Sequence, residues 1–138
     1  MTADRKSHPV LLLLVCLLAA ACGGYKPPQP IELPDNSIER AAVLGLQTSY
    51  RDSTMWEIQK ARVINVTPTA PTAAVLQDHD PKELYCVCVE YEARYKVSWT
   101  TTEPSAWERT VRNLLVMKTQ SDGFIAVRPM NICPALCE

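Results

Sequence analysis

The chain has 138 residues, 47% of them hydrophobic and 21% charged, with 14 Lys and Arg against 15 Asp and Glu and a net charge of −1. So even a balance does not favour nucleic-acid binding, which wants a strongly basic face. The apolar share is enough for a packed core and excludes wholesale disorder.

Arg5, Lys6 and His8 lie in the opening segment, and Val10 to Ala21 then carries no charge. That apolar run is about half the roughly 20 residues needed to cross a bilayer. It fits the central region of a secretory signal, with small residues ahead of a cleavage point. The run ends Leu17-Leu18-Ala19-Ala20-Ala21-Cys22, and there it resembles the lipobox of bacterial lipoproteins. The resemblance covers only the first two dozen residues. It implies that Ala21-Cys22 is cut, that the Cys22 thiol carries a diacylglyceryl group, and that the membrane is engaged through this anchor. Ala19 stands where that family usually has Leu. Gly23 follows Cys22 in place of the Asp that often retains lipoproteins in the inner membrane, so the resemblance favours the outer membrane, facing the periplasm. Cys16 is a poorer match, because Val15 precedes it.

The expected division is a signal peptide over 1–21, a lipidated cysteine and proline-rich tether over 22–36, and one domain over 37–138. Loss of Asp4, Arg5 and Lys6 leaves 12 basic and 14 acidic side chains, a net charge of −2. Such a balance gives no overall attraction to anionic lipid. Pro27, Pro28, Pro30 and Pro34 favour extended backbone over helix or sheet. Fully extended, residues 23–36 reach on the order of 40 Å; the alternative is a loop packed on the domain, with Ile31 and Leu33 docked.

Asn36-Ser37-Ile38-Glu39 has the form of a capping box and opens a predicted helix to about Tyr50. Ala41, Ala42 and Gly45 give it a small face suited to close packing on a sheet. Trp56 to Val66 reads as a strand, with Trp56, Ile58, Ile64 and Val66 on one parity despite Lys60 and Arg62. Thr67 to Glu83 holds Pro68, Pro71 and Pro81 and reads as a long loop. From Leu84 to Trp99 the alternation is unbroken. Tyr85, Val87, Val89, Tyr91, Ala93, Tyr95, Val97 and Trp99 lie on one side, and Cys86, Cys88, Glu90, Glu92, Arg94 and Lys96 on the other. Trp107 to Met117 returns as a strand, Asp122-Gly123 marks a hairpin turn, and Phe124 to Arg128 is the last strand.

The order predicts an α+β domain, an N-terminal helix on a four-stranded antiparallel sheet. It is similar in element order to the cystatin-like or NTF2-like superfold. That likeness implies a curved sheet and no particular activity.

Four further cysteines, Cys86, Cys88, Cys133 and Cys137, are even in number, and export would place them in an oxidising space. Cys86 and Cys88 share a strand face about 6.8 Å apart. Cys133 and Cys137 share a face about 6 Å apart if Cys133-Pro134-Ala135-Leu136-Cys137 is a helical turn. Two parallel staples holding the C-terminal tail on the outer face of the long strand are expected, with either cross-pairing open. A four-thiolate metal site or a redox pair is the weaker alternative, because zinc prefers cysteine pairs in flexible knuckles.

No catalytic constellation is legible. His79 sits between Asp78 and Asp80 and reads as a solvated loop tip. Glu90, Glu92, Arg94 and Lys96 read as a cross-strand charge ladder. Tyr85, Tyr91, Tyr95, Trp99 and Trp107 are either core or the lining of a cup between helix and sheet. The expectation is a non-enzymatic envelope lipoprotein without a cofactor, whose domain binds or braces another envelope protein. The alternatives are a small-molecule binding module with an aromatic-lined pocket, and a thiol metal or redox protein.

Overall fold

The computed structural model describes residues 25–96, 103–127, Cys133 and Cys137. The elements are α1 (Ser37–Arg51), β1 (Trp56–Thr69), a short α2 (Ala73–Asp78), β2 (Glu83–Tyr95), β3 (Glu108–Lys118) and β4 (Phe124–Val127). The strands form one open antiparallel sheet in the order β1-β2-β3-β4. The domain is therefore α+β, a helix on a four-stranded antiparallel sheet, as the element order predicts. Among the described residues no helix is long and apolar enough to cross a membrane.

α1 starts where its cap dictates. The Asn36 side-chain oxygen accepts from the backbone N–H groups of Ile38 at 3.0 Å and Glu39 at 3.2 Å, satisfying two donors that the helix cannot pair itself. Ala41, Ala42, Val43 and Leu46 are buried, and the helix lies across the face that carries Val87, Val89, Tyr91 and Ala93. At Gly45 an added Cβ would overlap the Cβ of Ala126 in β4. Helix and sheet approach so closely there that only glycine fits. Tyr91 is fully buried, and its hydroxyl meets that of Tyr50 at 2.9 Å. Burial first, and then this hydrogen bond, push its acidity well below that of an ordinary phenol.

β1 departs from its expected parity. Gln59 pairs with Glu92 and Arg62 with Glu90; Val63 pairs with Val89 and Asn65 with Cys88. Each step leaves one extra residue in β1, so the strand contains two bulges, and Lys60 adopts a positive φ of 54°. The first bulge turns Val63 toward the core and Ile64 outward, where it is 50% exposed. The second returns Val66 to the core. β1 also runs on to Thr69, through Pro68. Proline is tolerated because β1 is an edge strand with no ladder bond to donate on its outer side.

The second face has its own core. Leu84, Cys86, Leu115, Met117 and Val127 cluster with Val75 of α2, a short helix in what reads from sequence as loop. Thr72 caps α2, accepting from Val75 N–H at 3.4 Å. Six residues are too few to hold a helix alone, so burial of Val75 against the sheet sustains it. β2 ends at Tyr95, short of Trp99, which lies outside the described residues along with the expected end of β4 at Arg128. The β3–β4 connection turns at Asp122, with φ of 66°, before Gly123, as the Asp-Gly pair predicts.

Candidate functional site

Both disulfides join the second face of β2 to the C-terminal tail. Cys86 is bonded to Cys133 and Cys88 to Cys137, with Cα separations of 5.7 Å and 5.8 Å. The first cysteine of one pair meets the first of the other, so the tail crosses in the direction of β2. The turn expected over 134–136 lies outside the described residues. Cys86 and Cys88 are each only 1% exposed. Paired sulfurs are not thiolates, so in this state they offer neither a four-thiolate metal site nor a free redox thiol.

Beyond the staples the second face becomes polar. Glu90, from the central strand, receives Arg62 from β1 at 2.7 Å and Arg109 from β3. Glu92 receives Gln59 at 2.7 Å and Lys60 at 3.1 Å. The Arg62 hydrogen bond, opposed by partial burial and aided by Arg109, holds the Glu90 carboxyl below the ordinary range. Gln59, then Lys60, does the same for Glu92. Glu90 and Glu92 of the expected charge ladder pair across strands and draw cations from both neighbours, whereas Lys96 donates to the Ser53 carbonyl. These groups enclose a recess of about 210 Å³.

Farther along, Arg94 and Glu57 form a buried ion pair at 2.6 Å, with side chains 7% and 8% exposed. Trp107 stacks on the Arg94 guanidinium at 4.1 Å. Residues 25–31, part of the expected tether, meet this pair, in line with the alternative of a segment packed on the domain. The Tyr25 hydroxyl donates to Glu57 at 2.8 Å, Arg94 donates to the Lys26 carbonyl at 2.6 Å, and Gln29 N–H donates to the Gln59 side chain at 3.1 Å. Ile31 then packs on the helix-side core. The segment is a strap that passes around the β1 edge from one face to the other. The segment forms neither helix nor strand. What the sequence concealed was the buried pair that it docks upon.

Among the described residues, the aromatics singled out in sequence lie apart from one another. Tyr91 is in the core. Tyr85 sits near Phe124 with ring centroids 6.3 Å apart, and Tyr95 is largely exposed and lies against Trp56 at 3.8 Å. Trp107 belongs to the opposite face, over Arg94, and Trp99 is outside the described residues. A groove of about 470 Å³ does exist beneath the strap, lined by Tyr50, Trp56 and Ile58 with Pro28 and Pro30 opposite. A second, of about 440 Å³, runs between α1 and β4 along Leu44, Gly45, Thr48 and Ile125. His79 ends α2, its N–H donating to the Val75 carbonyl at 2.9 Å. No group of three metal-ligating side chains forms among the described residues.

Comparison with protein-family models, with curated proteins and with solved structures found no match.

Proposed function

We propose that this chain is a cell-envelope lipoprotein whose domain acts by binding and bracing another envelope protein, not by catalysis. In this reading residues 1–21 are removed, Cys22 carries the lipid, and the domain faces the periplasm from the outer membrane. The cystatin-like or NTF2-like superfold belongs to the same proposal and rests on element order.

The observation that supports binding is the flank formed by α1 and β4. β4 is a four-residue edge strand with no strand on its outer side among the described residues. Beside it Leu44 is 40% and Ile125 46% exposed across the groove. An open strand edge offers backbone donors and acceptors, and adjoining apolar side chains add contact area. That combination suits a partner that lays an extended segment against β4. A photo-crosslinking residue at Ile125 in living cells should capture one specific envelope protein, and Cys22→Ser should abolish both palmitate labelling and that capture. A chain that labels with palmitate but yields no crosslinked partner would remove the bracing role.

A second reading rests on the groove under the strap. Its volume lies in the range of small-molecule sites, roughly 300–1,000 Å³, and Tyr50 and Trp56 line it. A hydrophobic ligand present at 100 times its Kd would add about 2.7 kcal/mol to unfolding stability. A thermal-shift screen that yields such a ligand would favour a binding module over a brace.

A further inference from the structure

The anchored-lipoprotein reading, on which this inference rests, fixes which face of the sheet lies nearest the bilayer. Three peptide units separate Cys22 from Tyr25, so the acylated residue lies within about 11 Å of Tyr25. Tyr25 is held on the second face of the sheet, through its hydroxyl on Glu57 and its ring beside Arg94. One strand step along that face, about 7 Å, comes Glu92 and the polar recess. With the strap docked, the domain cannot stand off at the full reach of an extended tether.

We propose that this recess binds the phosphate of an anionic phospholipid headgroup, with Lys60, Arg62 and Arg109 as its cations. The three side chains are 52%, 68% and 69% exposed, and they surround two carboxylates. Arg62 and Arg109 come from strands on opposite sides of β2 and share one carboxylate, Glu90. The local balance is therefore positive, on a protein whose net charge is not. A guanidinium presents five donors in a planar fork, so one carboxylate cannot satisfy two of them, and outward N–H groups remain for phosphate. Attraction of exposed groups to a charged surface is screened by salt within a Debye length. A basic residue held near such a surface contributes about 1 kcal/mol, or about fivefold in occupancy.

The test uses the acylated full-length product in vesicles of phosphatidylcholine, with and without phosphatidylglycerol. Phenylglyoxal modification of each arginine is followed by mass spectrometry, with Arg40 and Arg51 on α1 as internal controls. Arg62 and Arg109 should react about fivefold more slowly in the anionic vesicles, added salt should reverse the difference, and the controls should not change. In a Lys60→Gln, Arg109→Gln variant the protection of Arg62 should disappear while both disulfides and the unfolding midpoint persist. Equal rates in both vesicles overturn the proposal. So does equal protection by soluble inorganic phosphate in neutral vesicles, or protection that occurs only in native envelopes, which would indicate an acidic protein. Intact mass reports acylation separately. An unacylated native chain removes the anchored reading and this proposal together, whereas an acylated chain with unprotected arginines removes this proposal alone.

Discussion

The two disulfides should be strongly non-additive, and the structure says by how much. Cys86–Cys133 and Cys88–Cys137 span 47 and 49 residues. In the chain-entropy account, closing one loop of that length in the unfolded state stabilises the fold by about 4 kcal/mol. Once either bridge exists, the other closes only a small ring, made of the two-residue step between the β2 cysteines and the four-residue step between the tail cysteines. That second closure contributes about 2 kcal/mol on the same relation. Removing either bridge as a Cys→Ala pair should therefore cost about 2 kcal/mol, and removing both about 6 kcal/mol, close to three times as much. Six kcal/mol reaches the whole margin of many domains of this size. Urea unfolding of the four proteins measures these values, with comparison of slopes to confirm that the folded states stay compact. If the bridges acted only through local packing, the double variant would lose twice what each single one loses. A ratio of two or less refutes the entropic reasoning, and no loss in the single variants refutes the staples themselves.

Three other outcomes follow from the packing and charge. Gly45→Ala gains about 1 kcal/mol in helix propensity but must displace Ala126, an overpacking cost of about 1–3 kcal/mol, so thermal unfolding should show net destabilisation. Arg94→Met leaves Glu57 buried without its cation and should cost about 3–5 kcal/mol, while adding Glu57→Gln should restore much of that in a double-mutant cycle. Glu83, Glu90 and Glu92 all have folded pKa values held below the ordinary 4.5, by Tyr85, Arg62 and Gln59 respectively, before their other partners. The stability they contribute is present above that value and is lost as pH falls through their lower folded values. Chemical unfolding across the acid range should show the decline starting below about pH 4.5, and Glu92→Gln should make it shallower.

Local signals carried most of the element order. The Asn36 cap, the unbroken alternation from Leu84 and the Asp122-Gly123 turn each act over a few residues, and each element formed where its signal lay. Small residues at Ala41, Ala42 and Gly45 likewise foretold the close helix-sheet contact. The failures came where the cause was distant. The bulges of β1 follow from its pairing with β2, and period-two counting through Lys60 cannot see them. α2 depends on burying Val75 against Leu84 and Cys86. The described aromatics separate because alternate aromatics on one strand can face a core, an edge or solvent, according to what covers each part of the sheet. The strap is the most instructive case. Proline content spoke to its backbone, but docking depended on Glu57 and Arg94, more than thirty residues away in one case and almost seventy in the other.

Non-reducing intact mass spectrometry of the chain extracted from its native membrane, after thiol alkylation, bears most directly on the whole account. A protein beginning at Cys22, heavier by a diacylglyceryl group and acyl chain, with Cys86, Cys88, Cys133 and Cys137 unalkylated, is the predicted result. A product that retains residues 1–21 and takes up alkylating agent at those four cysteines would contradict both the anchor and the staples.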